Sequence, residues 1–149
     1  MRRWGFALAL LAAPSPALAQ LGPGLCHDLR MVIVSAGQRE PFARVTFHEN
    51  WDRFRLFEQC RPNRIGPVDR VACSWRLASA QPIVGALAAE AARCLPGARR
   101  DDAGGPGGPR FHAARFVLGR LVIYVEQDVA APDTLGNSAS VVIVIDEEG

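Results

Sequence analysis

Residues 70–77, Arg-Val-Ala-Cys-Ser-Trp-Arg-Leu, alternate between polar and apolar side chains along the whole stretch. An alternation with a period of two is typical of a β-strand that has one face in a core and the other in water. The inward row of this strand would consist of Val71, Cys73, Trp75 and Leu77. The stretch therefore predicts a core strand, and it raises the question of what a cysteine does in that row.

Apolar spacing on either side of this strand predicts the remaining elements. Two segments have apolar residues three or four positions apart, which indicates helices, and five others have the alternation or β-branched character of strands. The helices are expected over 24–37 and 79–97, and the strands over 43–48, 53–60, 111–118, 120–128 and 140–146. In the segment 53–60, Phe57 is expected to face outward among arginines.

The order of these elements, α-β-β-β-α-β-β-β, indicates the α+β class. We expect an antiparallel sheet of about six strands with both helices packed on one face. The β-branched run 141–145 predicts a strand that is central or covered on both faces. Residues 97–109 are rich in Gly and Pro, which predicts a flexible loop.

The N-terminus has the three parts of a secretory signal peptide. Two arginines, Arg2 and Arg3, precede an apolar run over 4–13, and Ala17-Leu18-Ala19 forms a small-x-small cleavage site before Gln20. The apolar run is too short to span a bilayer, which takes about 20 residues. We expect residues 1–19 to be removed, leaving one domain over 20–149, periplasmic or secreted and without a membrane span.

The net charge gives no support for nucleic acid as a partner. Loss of Arg2 and Arg3 from the 17 basic side chains leaves as many as the 15 acidic ones, so the exported chain has no net basic charge to favour nucleic acid. The chain contains no lysine, so arginine is its only strongly basic residue. The presence of an arginine at a given position is therefore weaker evidence than usual for a specific binding role.

The four cysteines predict disulfides. Their number is even, the chain is expected to be exported, and no Cys-x-x-Cys spacing indicates a zinc or redox site. We favour Cys60–Cys73 across a hairpin and Cys26–Cys94 between the two helices. One disulfide with two free thiols, or a catalytic or metal-bound cysteine, are the alternatives.

Three histidines offer little chemistry. On an extended backbone His48 and Asp52 point to the same side, as an acid–base pair or a divalent-ion site requires, but a polar turn explains them equally well. His27 and Asp28 are neighbours on a helix and are expected to point apart, with Asp28 serving the dipole of the first helical turn. We expect no cofactor and no metal ion.

A set of arginines is the most informative candidate site. If the helices cover one sheet face, the outer face of the first three strands carries arginines near Phe57, and guanidinium groups can grip an acidic protein, a phosphate-bearing glycan or a lipid headgroup. A solvated sheet face is the alternative. The expected partner-binding residues are Arg44, Arg53, Arg55, Arg70 and Arg76.

These features favour a small, disulfide-linked binding or accessory protein of a bacterial-type cell envelope, without catalysis. Its partner would be an unknown envelope protein or an acidic ligand. One alternative is a structural protein associated with an envelope polymer or with lipid headgroups. A second alternative is a small hydrolase that uses His48 and Asp52.

Overall fold

The computed structural model of the chain describes residues 16–45, 53–65, 67–77, 84–101, 111–128 and 138–146. The helices are α1, Pro16–Ala36, and α2, Val84–Cys94, and the strands are β1, Gln59–Ile65, β2, Val68–Arg76, β3, Arg99–Asp101, β4, Phe111–Leu118, β5, Leu121–Asp128, and β6, Ser138–Ile145. The protein belongs to the α+β class, as predicted. Of the helices that the structure describes, none has the length and apolar character that a bilayer crossing requires.

The six strands form one antiparallel sheet in the order β1-β2-β6-β5-β4-β3. Its centre is β6, which pairs with β2 on one side and β5 on the other. The β-branched run in β6 explains this position, because Val141 and Ile143 are buried in the main core while Val142 is buried on the opposite face. The expectation of a central strand is confirmed.

One face of the sheet and both helices enclose the core. The inward row predicted for β2 is correct: Val71, Cys73 and Trp75 are buried. They share a cluster with Leu25 and Leu29 of α1 and with other residues of α2, β4, β5 and β6. Full burial of an aliphatic side chain of this size stabilises the fold by roughly 1.5–3 kcal/mol, so this cluster dominates the stability.

The turns follow the glycines that the sequence places at the ends of elements. Helix α1 ends at Ala36 immediately before Gly37, and α2 ends at Cys94, shortly before Gly97 with φ +84°. Gly119, with φ +57°, begins the two-residue turn between β4 and β5. A positive φ is strained for residues with a Cβ, which explains why glycine occupies both positions.

Both predicted disulfides are present. Cys60 and Cys73 lie directly opposite each other in β1 and β2, and Cys26 of α1 is bonded to Cys94 of α2. The cysteine in the core row of β2 therefore holds an edge strand to the sheet. Disulfides persist in oxidising compartments and are rare in the cytosol, so the two bonds indicate a periplasmic or extracellular environment.

The arrangement of strands along the chain differs in part from the expected order. Among the described residues, two strands precede α2 and four follow it. Ala43 and Arg44 lie in a turn, residues 46–48 lie outside the described part, and 53–58 is not a strand. The short strand β3 occupies the start of the segment that was expected to be a loop over 97–109, because its backbone pairs with β4.

The sheet face opposite the helices is not uniformly solvated. Val122 and Val142 are buried there outside the main core cluster, and so are the carboxylates of Glu126 and Asp128 on β5. The row of arginines was expected on this face because the helices would cover the other one. Side chains on this face therefore do not share one solvent-exposed environment.

Candidate functional site

A buried carboxylate on α1 determines the path of residues 53–58. Asp28 has no solvent exposure, and its Oδ2 accepts backbone N–H groups of Leu56 at 2.7 Å and Phe57 at 2.9 Å, while Oδ1 accepts the N–H of Arg55 at 2.9 Å. Hydrogen bonds to an ionised group are about twice as strong as neutral ones. Three consecutive backbone donors are thus bound to α1, and this segment cannot pair as a strand there.

This attachment turns Phe57 inward. Its ring is buried and stacks on Trp75 with a centroid separation of 5.6 Å, so the expectation that Phe57 faces outward among arginines is wrong. The Glu58 N–H then donates to the Ser74 carbonyl at 2.9 Å, and β1 begins at the next residue. On the other side of the attached segment, Arg53 and Phe54 lie beside α1.

A compact turn after α1 provides the opposite wall. Phe42 is buried with φ 60°, and its N–H donates to the Ser35 carbonyl at 3.4 Å. The Val45 N–H donates to the Phe42 carbonyl at 3.0 Å. A bulky residue adopts this backbone only where its surroundings require it, and here burial of the ring does so. The turn positions Arg44 and Val45 next to the last turns of α1.

Between these walls lies a cavity of about 460 Å³, which we call the arginine cavity. Among the described residues, its lining contains three arginines, two neutral polar residues and four apolar residues, and none of them is acidic. The lining residues are Arg30, Met31, Val34, Ser35, Gln38, Arg44, Val45, Arg53 and Phe54. Since guanidinium groups stay protonated at all physiological pH values, the lining carries a permanent positive charge.

Two of these arginines are available to a ligand. Arg30 and Arg53 are exposed, and neither forms an ion pair with any residue that the structure describes. Val34 borders the same cavity with 65% of its surface exposed. The cavity therefore combines unneutralised cations with apolar surface that water still contacts.

A second cavity of about 530 Å³ lies on the other side of Phe54. Arg55 and Arg76 line it together with Glu58. The Arg76 Nε donates to Glu58 Oε2 at 3.1 Å, so one of its two cations is already neutralised within the fold. This cavity is the weaker candidate for an anion.

A third cavity of about 450 Å³ lies on the outer sheet face, where Arg115 and Tyr124 contribute to its lining. Arg115 forms an ion pair with Asp101. A hydrogen bond with Tyr124, followed by the charge of Asp101, raises the pKa of Arg115 above its usual value, against the opposing effect of burial. Because this guanidinium already interacts with Asp101 and Tyr124, the third cavity is also a weaker candidate for binding an anion than the arginine cavity.

The five arginines expected on one sheet face fall into three places. Arg44 and Arg53 meet in the arginine cavity, Arg55 and Arg76 line the second cavity, and Arg70 lies on the outer face of β2. Only Arg70 and Arg76 lie on a strand, so strand alternation sets the direction of these two side chains alone. The other three arginines precede the described strands. Asp28 and the turn around Phe42 decide where those three point.

His27 and Asp28 also differ from expectation. His27 Nδ1 and Asp28 Oδ1 are 2.8 Å apart, although the two residues were expected to point away from each other, and Asp28 lies in the middle of α1 instead of its first turn. His48 and Asp52 lie outside the described residues, so their pairing stays a prediction. Within the described ranges, no group of three potential metal ligands comes together.

Arg30 and Val34 are two of the cavity residues that sequence reasoning missed. They are four positions apart, so they share a face of α1, and that face differs from the buried stripe of Leu25 and Leu29. The available signal in the sequence was that Val34 is apolar, lies outside the buried stripe of α1 and follows Arg30 by one helical turn. It pointed to a contact surface on α1.

Comparisons of the chain with protein-family models, with curated proteins and with solved structures found no match.

Proposed function

We propose that this protein is a small exported binding protein of the cell envelope, and that it holds an anionic partner in the arginine cavity without catalysing a reaction. One observation carries the proposal. Arg30, Arg44 and Arg53 line a single concavity, and none of the described residues in its wall is acidic. An acidic protein or an anionic envelope polymer or lipid would offer the complementary charge.

Export is supported by the way α1 enters the core. Leu21 is buried, so α1 is already packed against the core one residue after the predicted N-terminal residue Gln20. Pro23 lies inside α1 and cannot donate the usual backbone hydrogen bond four residues back. In a chain that starts at Gln20, Pro23 falls in the first turn of the helix. Backbone N–H groups there have no acceptor within the helix, so proline is well tolerated.

The geometry of the cavity supports binding of an anion specifically. A guanidinium presents several N–H donors in a planar fork, which matches the oxygen atoms of carboxylate and phosphate groups. The three arginines come from α1, from the turn after it and from the segment attached to Asp28. Because Asp28 holds the backbone next to Arg53 to the helix that carries Arg30, these cations are brought together before the ligand arrives, which reduces the entropy lost on binding.

Replacement of all three cavity arginines by glutamine is expected to weaken anion binding at least about tenfold. Hydrogen bonds to charged groups contribute roughly 1.5–3 kcal/mol each, and 1.4 kcal/mol corresponds to a factor of ten in affinity. The probes are a fluorescent oligoglutamate peptide and a fluorescent peptide that contains phosphoserine, which present carboxylates and phosphates. Affinity for Arg30→Gln/Arg44→Gln/Arg53→Gln is measured by fluorescence anisotropy.

A matched control removes the same charge elsewhere. Arg61, Arg99 and Arg120 are exposed on β1, on β3 and in the β4–β5 turn, away from the cavity. Their triple glutamine variant should change the affinity by no more than about threefold, through the long-range field alone. Equal losses in the two triple variants, or no binding of either peptide to the unaltered protein, would refute the proposed site.

A further inference from the structure

The arginine cavity has an apolar part that an anion alone would leave unused. Met31, Val34, Val45 and Phe54 contribute to its wall beside the arginines. Val45 is buried, whereas Val34 at the border is mostly exposed. Removing apolar surface from water is favourable by about 25 cal/mol for each Å², so a ligand that covers Val34 and Phe54 gains affinity that inorganic phosphate does not.

The size of the cavity narrows the class of ligand. A volume of about 460 Å³ lies within the range of roughly 300–1,000 Å³ that is usual for small-molecule sites. A stable contact between two folded proteins needs a broad surface of roughly 800 Å² from each partner. The concavity therefore fits one compact molecule better than the flat surface of a folded partner.

The charge of the wall identifies the polar end of that molecule. Arg30 and Arg53 have no acidic partner among the described residues, and Arg44 adds a third cation to the same wall. A phosphate offers more acceptor oxygens than a carboxylate, so it can engage guanidinium forks from several directions at once. The Ser35 hydroxyl already donates to the Val32 carbonyl at 2.6 Å, so it is not available as a donor to the phosphate.

We propose that the ligand of the arginine cavity is a phosphate-bearing amphiphile, bound as one molecule per chain. Its phosphate lies among Arg30, Arg44 and Arg53, and its apolar portion covers Val34 and Phe54. This inference rests on the proposed function and adds the class of ligand. A phospholipid monomer and a free phosphate ester share the polar chemistry, and only the phospholipid also uses the apolar wall.

The test is isothermal titration calorimetry of the full disulfide-bonded protein with three probes. Dihexanoylphosphatidylglycerol, kept below its micellar concentration, carries both the anionic phosphate and the acyl chains. Dihexanoylphosphatidylcholine has the same chains without net charge, and glycerol 3-phosphate has the phosphate without the chains. We expect the phosphatidylglycerol to bind at a ratio of one and at least about tenfold more tightly than either other probe.

Two variants separate the polar and the apolar contributions. Val34→Ser should weaken binding of the phosphatidylglycerol several-fold and leave glycerol 3-phosphate unchanged, because this exposed residue contacts only the apolar portion. Arg30→Gln/Arg53→Gln should weaken binding of both phosphate probes. The control Arg61→Gln/Arg99→Gln removes an equal charge on β1 and β3 and should leave both affinities within about twofold.

Three outcomes overturn the inference. Equal affinity for phosphatidylglycerol and glycerol 3-phosphate means that the apolar wall is not used, and equal affinity for phosphatidylcholine means that the charge is not selected. If no probe binds while the acidic peptides still bind through the three arginines, the ligand class is wrong and the proposed function stands. If the acidic peptides do not bind either, both the ligand class and the proposed function are wrong.

Discussion

Asp28→Ala should lower the free energy of unfolding by about 3–5 kcal/mol, which is a large part of the stability of a domain of this size. The substitution removes a fully buried carboxylate that accepts backbone N–H groups from Arg55, Leu56 and Phe57. Those donors lose their acceptor, and each unsatisfied buried donor costs about 1–3 kcal/mol. Water entering the vacated space would recover part of this loss, so the total is smaller than the simple sum.

The measurement is urea denaturation followed by circular dichroism. Asp28→Asn keeps the shape and one carbonyl oxygen but removes the charge, so it should lose roughly half as much stability as the alanine variant. Glu58→Ala is the control: its carboxylate forms an exposed ion pair with Arg76, and such pairs contribute about 0–1 kcal/mol. A loss below about 1 kcal/mol for Asp28→Ala would show that the attachment of 55–57 does not depend on the carboxylate.

The Asp28 variant should also affect the arginine cavity. Arg53 and Phe54 line that cavity and directly precede the three residues that Asp28 holds. If the attachment positions them, Asp28→Asn should reduce the affinity for the phosphoserine peptide under conditions where the variant is still fully folded. Glu58→Ala should leave that affinity unchanged, because Glu58 lies at the second cavity.

Loss of the Cys26–Cys94 disulfide should cost about 4 kcal/mol, more than loss of the Cys60–Cys73 disulfide at about 3 kcal/mol. The first bond joins residues 68 positions apart and the second joins residues 13 positions apart. Closing a longer loop removes more conformational entropy from the unfolded chain, so the folded state gains more stability relative to it.

Reductant can isolate each bond without changing the packing around it. The variant Cys60→Ala/Cys73→Ala keeps only the bond between the helices, and the variant Cys26→Ala/Cys94→Ala keeps only the bond between β1 and β2. Each variant is denatured with and without reductant, and the difference in unfolding free energy gives the contribution of the remaining bond. A larger effect for Cys60–Cys73 would mean that local strand geometry outweighs loop closure.

Local patterns were sufficient for most of the secondary structure. The alternation in 70–77 identified the inward row of β2, and the apolar spacing around Leu25 and Leu87 identified the buried sides of the two helices. The even cysteine count and the expected export predicted two disulfides, and the placement of the cysteines across a hairpin and between two helices led to the correct pairs. The strand and helix predictions succeeded because the periodicity of apolar residues is a property of neighbouring positions in the chain. The disulfide predictions succeeded because they needed only the positions of the cysteines within those elements.

The segment 53–58 is where local reasoning failed. Its alternation resembles that of 70–77, but its backbone donors are taken by a carboxylate 27 to 29 positions earlier in the chain. The resemblance predicted a strand with Phe57 on the arginine side, and the tertiary contact placed Phe57 against Trp75. A pattern with a period of two cannot encode a hydrogen bond to a distant helix.

The sequence by itself therefore determined the class of the fold, the core stripe of each helix, the central position of β6 and both disulfides, because hydrophobic periodicity and cysteine count are properties of the chain. Only the tertiary structure decided which arginines meet. Arg30 and Arg53 are 23 positions apart and share no pattern, and they line one cavity because Asp28 binds the backbone next to Arg53 to the same helix that carries Arg30. The physical reason is that a buried carboxylate needs hydrogen-bond donors, and the donors that reach Asp28 in the folded protein come from residues 27 to 29 positions away in the sequence.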